Sequence, residues 1–108
     1  MIETSVPFAN QYERESHFVR HGAEFGAANA IEYETIADAF MYGALEPDAR
    51  QCVRPNGIDT VRFNFVTHFQ AIAHPRALRT FYVVKASVIA NHGNELGYHH
   101  YECNRTNL

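Results

Sequence analysis

The sequence predicts an α+β domain in which two N-terminal helices pack on one face of a four-stranded, mainly antiparallel sheet. Three observations predict it. Apolar residues recur at helical spacing as far as Ala44, the period changes to two after Pro47, and Pro55-Asn56-Gly57 sits between two alternating runs as a hairpin signal. A chain of 108 residues with 46% hydrophobic content can bury one core, so residues 1–108 form a single domain.

The first helix is expected from about Ala9 to His21. Phe8, Tyr12, Phe18 and Val19 fall on one side, Glu13, Arg14 and Glu15 elsewhere, and Gly22 ends it. The second runs from about Ala30 to Ala44, with Ile31, Ile36, Phe40, Met41 and Leu45 inward and Glu32, Glu34 and Asp38 outward. Pro47 stops it because proline cannot continue the backbone ladder.

Four strands are expected next: Gln51 to Arg54, Ile58 to Phe65, His68 to Ala73 and Leu78 to Ala86. Asn56-Gly57 joins the first two because it accepts positive φ, with further turns at Val66-Thr67 and His74-Pro75-Arg76. Alternation puts Val61, Phe63 and Phe65 against the helices and turns Arg62 and Asn64 to an open face. With Phe81 and Val83 inward, Thr80 and Tyr82 join Arg62 on that face; the ordinary alternative is a solvent-side sheet surface. From Asn91 to Leu108 the pattern reads as an irregular tail closing a sheet edge through Tyr98 and Tyr101.

No apolar run reaches bilayer-spanning length, and the N-terminus lacks the pattern of a secretory signal. Cys52 and Cys103 are too few for a disulfide scaffold and lack zinc-knuckle spacing; they can pair, but nothing demands it. The net charge of −3 is opposite to the basic surplus common in nucleic-acid binders. The charges are uneven, however: Glu3, Glu13, Glu15, Glu24, Glu32, Glu34, Asp38, Glu46 and Asp48 precede Arg50, Arg54, Arg62, Arg76, Arg79 and Lys85. A basic second half can offer phosphates one surface.

His17 and His21 lie one turn apart on the first helix with Arg20 beside them. Histidine titrates near neutrality and so can take a proton from a ribose hydroxyl or give one to a leaving group. Two surface histidines on a polar helix face are the plain alternative. His99, His100 and Cys103 invite a zinc reading, but no standard ligand spacing is met, and neither a metal nor another cofactor is expected. Phosphate-cradling glycine loops and nucleophile elbows are absent from the sequence.

His21-Gly22-Ala23-Glu24-Phe25-Gly26 resembles the His-x-x-acidic-Phe-Gly signature at the first helix of colicin D-type transfer-RNA nucleases. The order that follows is also similar: a second helix, Asn56-Gly57, Val61-Arg62-Phe63-Asn64, Thr67-His68-Phe69 and Arg79-Thr80-Phe81-Tyr82. These nucleases belong to the barnase, EndoU, colicin and RelE-like (BECR) fold group of contact-dependent inhibition and other polymorphic toxins, and the likeness runs from about Phe8 to Lys85. Phe18 departs from it, standing where colicin D has a lysine, as does the acidic net charge.

The resemblance implies a metal-independent endoribonuclease that cuts transfer RNA by 2′-hydroxyl attack, leaving a 2′,3′-cyclic phosphate. His21 would take the proton, with Thr80 and Tyr82 as the other catalytic residues. His17, Arg20, Arg62 and Arg79 would bind substrate, His17 as a spare acid, and Tyr82 would stack a splayed base. Fixed donors from Arg79, Arg62 and Thr80 would stabilise the phosphorane, each typically worth about 3 kcal/mol. It further implies delivery as a secreted toxin domain, action in the cytoplasm of the recipient cell, and an acidic immunity protein covering Arg62, Arg79 and His21. The alternatives are a non-enzymatic protein- or RNA-binding module of the same fold and a zinc-stabilised accessory domain.

Overall fold

The computed structural model describes residues 7–106. Glu3, the N-terminal segment read for a targeting signal and the last two residues of the tail lie outside them. The architecture is α+β, and the four strands form one antiparallel meander in the order β1-β2-β3-β4: β1 Ala49–Val53, β2 Thr60–Asn64, β3 Phe69–His74 and β4 Ala77–Val83. Among the described residues no helix is long and apolar enough to cross a membrane.

Helices α1 (Gln11–His21) and α2 (Ala30–Tyr42) precede the sheet, as expected. Both begin on an asparagine whose side-chain oxygen takes a first-turn amide, Asn10 from Glu13 and Asn29 from Glu32. The inward stripe of α2 differs from the expected one. Ala30, Tyr33, Ala37, Phe40 and Met41 are buried, whereas Ile31, Leu45 and, on α1, Tyr12 and Val19 are exposed. Tyr33 makes the difference: it is fully buried and donates its hydroxyl to the Phe81 carbonyl, which turns that side of α2 to the sheet.

The hairpin between β1 and β2 forms as the sequence indicates. Gly57 takes φ +72°, and the Asn56 side-chain oxygen accepts the amides of Ile58 and Asp59.

Two expectations fail together. The 91–108 tail is not irregular: α3 (Ala86–Ala90) and α4 (Glu95–Asn104) are helical, the latter capped by Asn94, and β4 ends at Val83 rather than Ala86. These helices cover the face opposite α1 and α2, and the residues expected on one open face are divided: Thr80 and Tyr82 lie on the α3/α4 side and Arg62 on the α2 side. Val61 and Phe63 therefore point to the α3/α4 side, where Phe63 clusters with Val84, Ile89 and Tyr98. The other face carries Ala71, Ala73, Leu78 and Phe81 against α2. Once the C-terminal segment supplies its own helices, both faces of the sheet are buried, and alternation alone cannot say which pair of helices each strand face meets.

Candidate active site: two histidine–carboxylate pairs in one cleft

The end of α1 is built to place His21. The chain passes from it into a short 3-10 helix, Gly22–Phe25, beneath the Phe18 ring; a β-carbon at Gly22 would lie 2.4 Å from a Phe18 ring carbon. Phe25 pins this turn, stacked on Phe81 at 3.9 Å between ring centroids and set edge-on to Phe69 at 4.9 Å. Glu24 is thereby held with one carboxylate oxygen 2.7 Å from His21 Nδ1, while the other accepts the Val83 amide at 2.7 Å. When Nδ1–H donates to Glu24, Nε2 of a neutral His21 is left as the free acceptor.

A second histidine of the same cleft, His68, is also paired with a carboxylate, that of Glu95, which does not itself line the cleft. His68 occupies the β2–β3 turn at φ +65°, held by its amide to the Asn64 carbonyl and by its own carbonyl, which accepts the Val84 amide. Its Nε2 lies 3.0 Å from a Glu95 carboxylate oxygen at the start of α4. The Glu95 carboxyl is held below the usual carboxylate range by its own backbone N–H and by His68. His21, Glu24, His68, Tyr82, Lys85 and Tyr98 line one cleft of about 820 Å³, whose floor is made apolar by Val83, Val84 and Val88. The Tyr82 ring lies 5.5 Å from that of His21, and its hydroxyl accepts from Gln70, which also donates to Tyr98. Burial, then neighbouring Tyr82, pushes the Tyr98 hydroxyl up, so it stays protonated.

Of the residues given catalytic or substrate-binding roles from the sequence, the cleft unites only His21 and Tyr82. His17 stands behind them, stacked on Phe8 at 5.1 Å, its centroid 6.4 Å from His21. Burial, then Arg20, pulls its pKa down. Arg20 is turned back along α1, near the Ser16 carbonyl and hydroxyl and 3.5 Å from His17 Nε2. Thr80 is half-buried opposite Ile72 on β4 and does not line the cleft.

Arg62 and Arg79 require correction. Arg62 lies on the α2 side of the sheet, 9% exposed, donating to the Phe40 and Gly43 carbonyls and to Gln51. Its guanidinium satisfies carbonyls that the end of α2 leaves without helical partners. Arg79 is half-exposed and paired with Asp59 at 3.2 Å. Asp59 also faces Arg54, which is buried and bonded to both the carboxylate and the carbonyl of Glu102. Burial against α2 withdraws Arg62 from the surface on which an inhibitor was expected to meet Arg62, Arg79 and His21.

His68, Glu95 and Lys85 were given no site role, although His68 lies in the quoted Thr67-His68-Phe69 motif, Lys85 in the basic second half and Glu24 in the His21 signature; Glu95 alone carried no sequence signal. His68 depends on a left-handed turn and on a helix placed in none of the expected elements. His99 and Cys103 lie one turn apart on α4, and Cys103 is bonded to Cys52. No protein-family model matches the chain, and no curated protein matches it.

Proposed function

We propose that the chain is an endoribonuclease of the colicin D-like, BECR type that cleaves RNA, with transfer RNA the expected substrate, by acid–base chemistry in this cleft. One observation carries the reading: two histidines, each oriented by a carboxylate, line a single cleft beside a lysine and a tyrosine. His21 Nε2 takes the 2′-hydroxyl proton as that oxygen attacks the adjacent phosphorus. The 5′-oxygen leaves with a proton from His68, and the product ends in a 2′,3′-cyclic phosphate. Lys85 faces the phosphate, taking the place the sequence gave to Arg62 and Arg79, and the Tyr82 ring offers a base a stacking surface. The Cys52–Cys103 disulfide accords with passage through an oxidising space before action in a recipient cytoplasm. An inhibitor protein, if the producing cell makes one, covers the cleft mouth.

The test incubates the oxidised chain with total transfer RNA in excess chelator. Cleavage to cyclic-phosphate ends is expected, lowered about 10²–10⁴-fold by His21→Ala or His68→Ala and unchanged by His100→Ala. Intact RNA with a folded parent favours the second reading, a binding module. The apolar valine floor and the net charge of −3 support that alternative, since both suit a protein side chain better than a phosphate.

A further inference from the structure

We propose that Cys52, His99 and Cys103 form a zinc site whenever their disulfide is reduced. Among the described residues this is the one group of three whose ligand atoms converge, all within 4.8 Å of one another. Cys52 comes from β1, on the sheet face that α4 covers, and α4 presents His99 and Cys103 on one side. The Cys52 and Cys103 α-carbons are 5.9 Å apart, and His99 Nε2 is 3.4 Å from the Cys103 sulfur. Tetrahedral zinc, with bonds of about 2.3 Å to sulfur and about 2.0–2.1 Å to nitrogen, sets a nitrogen and a sulfur about 3.5 Å apart. The histidine–cysteine half of the site thus already has the required spacing.

The imidazole is also fixed in advance. His99 is 7% exposed, stacked on Phe63 at 6.0 Å and edge-on to Phe65 at 5.6 Å, so binding would freeze little further motion. Two thiolates and an imidazole suit a borderline-soft ion such as zinc and discriminate against magnesium and calcium, with water filling the fourth position.

Oxidation and metal binding exclude each other, because both use the same two sulfurs. A cellular dithiol supplies two electrons and two protons to the disulfide and itself becomes a disulfide. The two thiols then lose their protons to solvent as zinc binds. The tether between α4 and β1 is therefore covalent in an oxidising space and metal-bridged in a reducing one that contains zinc. This site is independent of the nuclease reading, and RNA cleavage is not its readout.

The full chain, reduced with a phosphine, is titrated with cobalt(II), followed by displacement with zinc. One equivalent of cobalt with a thiolate charge-transfer band is expected for the reduced chain and none for the oxidised chain. His99→Ala should weaken binding more than about 100-fold, since even outer-shell partners cost 10–100-fold, and His100→Ala should leave it unchanged. The oxidised His99→Ala chain checks folding by circular dichroism, and Cys52→Ser, left with one thiolate, should roughly halve the band. A reduced chain without the band, a reduced chain that stays unfolded after cobalt, or His99→Ala binding as tightly as the parent would overturn the proposal.

Discussion

The two faces of the sheet are held by different physics. Against α1 and α2 lies an apolar cluster of Phe8, Tyr33, Ala37, Phe40, Met41, Ala71, Ala73, Leu78 and Phe81. Against α3 and α4 the apolar contact shrinks to Phe63, Val84, Ile89 and Tyr98. The rest is specific chemistry: Arg54 between Asp59 and Glu102, and the Cys52–Cys103 bond. Hydrophobic burial tolerates many sequences, whereas an ion cluster and a disulfide fail when one partner is removed. The cleft opens where the two regimes meet, with His21 and Glu24 carried by the apolar side and His68, Glu95 and Tyr98 by the polar one.

The largest effect should come from Arg54→Met. The Arg54 side chain is 4% exposed, and its loss takes the shared cation from two buried carboxylates, leaving Asp59 only the half-exposed Arg79 and Glu102 only Arg105. A destabilisation of about 3–5 kcal/mol in urea unfolding is expected. A loss below about 1 kcal/mol would mean that the C-terminal helices are held by their small apolar cluster and would erase the contrast.

Reduction of the disulfide, with chelator present to keep metal away, should cost about 2–4 kcal/mol. The location of the loss matters more than its size. Amide exchange should accelerate in Glu95–Asn104 while Ala30–Tyr42 stays protected, because the bond ties α4 to β1 whereas α2 packs on the opposite face of the sheet. Equal acceleration in both helices would show that the two faces unfold as one unit.

This division also explains what could be read from the sequence. The meander was legible because each turn carries its own signal, Asn56-Gly57 above all, and the helices were legible from apolar spacing, although the caps Asn10 and Asn29 that fix their starts were not read. The side to which each strand face turns was not. Val61 and Phe63 are apolar whether they meet α2 or α4, and that choice depends on a C-terminal segment whose glycines and asparagines read as loop but act as caps and turns. The site followed the same rule. His21 and Glu24 belong to one local turn and could be found together, whereas the His68–Glu95 pair joins residues 27 apart through a helix that had not been foreseen.

The smallest expected effect is a pH dependence that cuts across the contrast, because each face buries one histidine. His17 on α1 and His99 on α4 both have pKa values below the ordinary 6.5, in each case first through burial and then through a neighbouring arginine, Arg20 or Arg50. A depressed histidine pKa means that the unfolded chain binds more protons than the folded one in mildly acid solution. Stability is then complete above the ordinary value and is lost as pH falls through the lowered ones. Glu13, 3.7 Å from His17 Nε2, opposes this on the first face, and Glu102 opposes it on the second, yet the net direction is the same on both. The Glu95 carboxyl, held below its usual 4.5, adds a further loss at lower pH with the same sign. The melting temperature should therefore fall from pH 7.5 to 5.5, and both His17→Leu and His99→Leu should flatten the slope. A melting temperature that rises over this range would contradict the sign. A slope flattened by only one of the variants would assign acid sensitivity, like redox sensitivity, to a single face of the sheet.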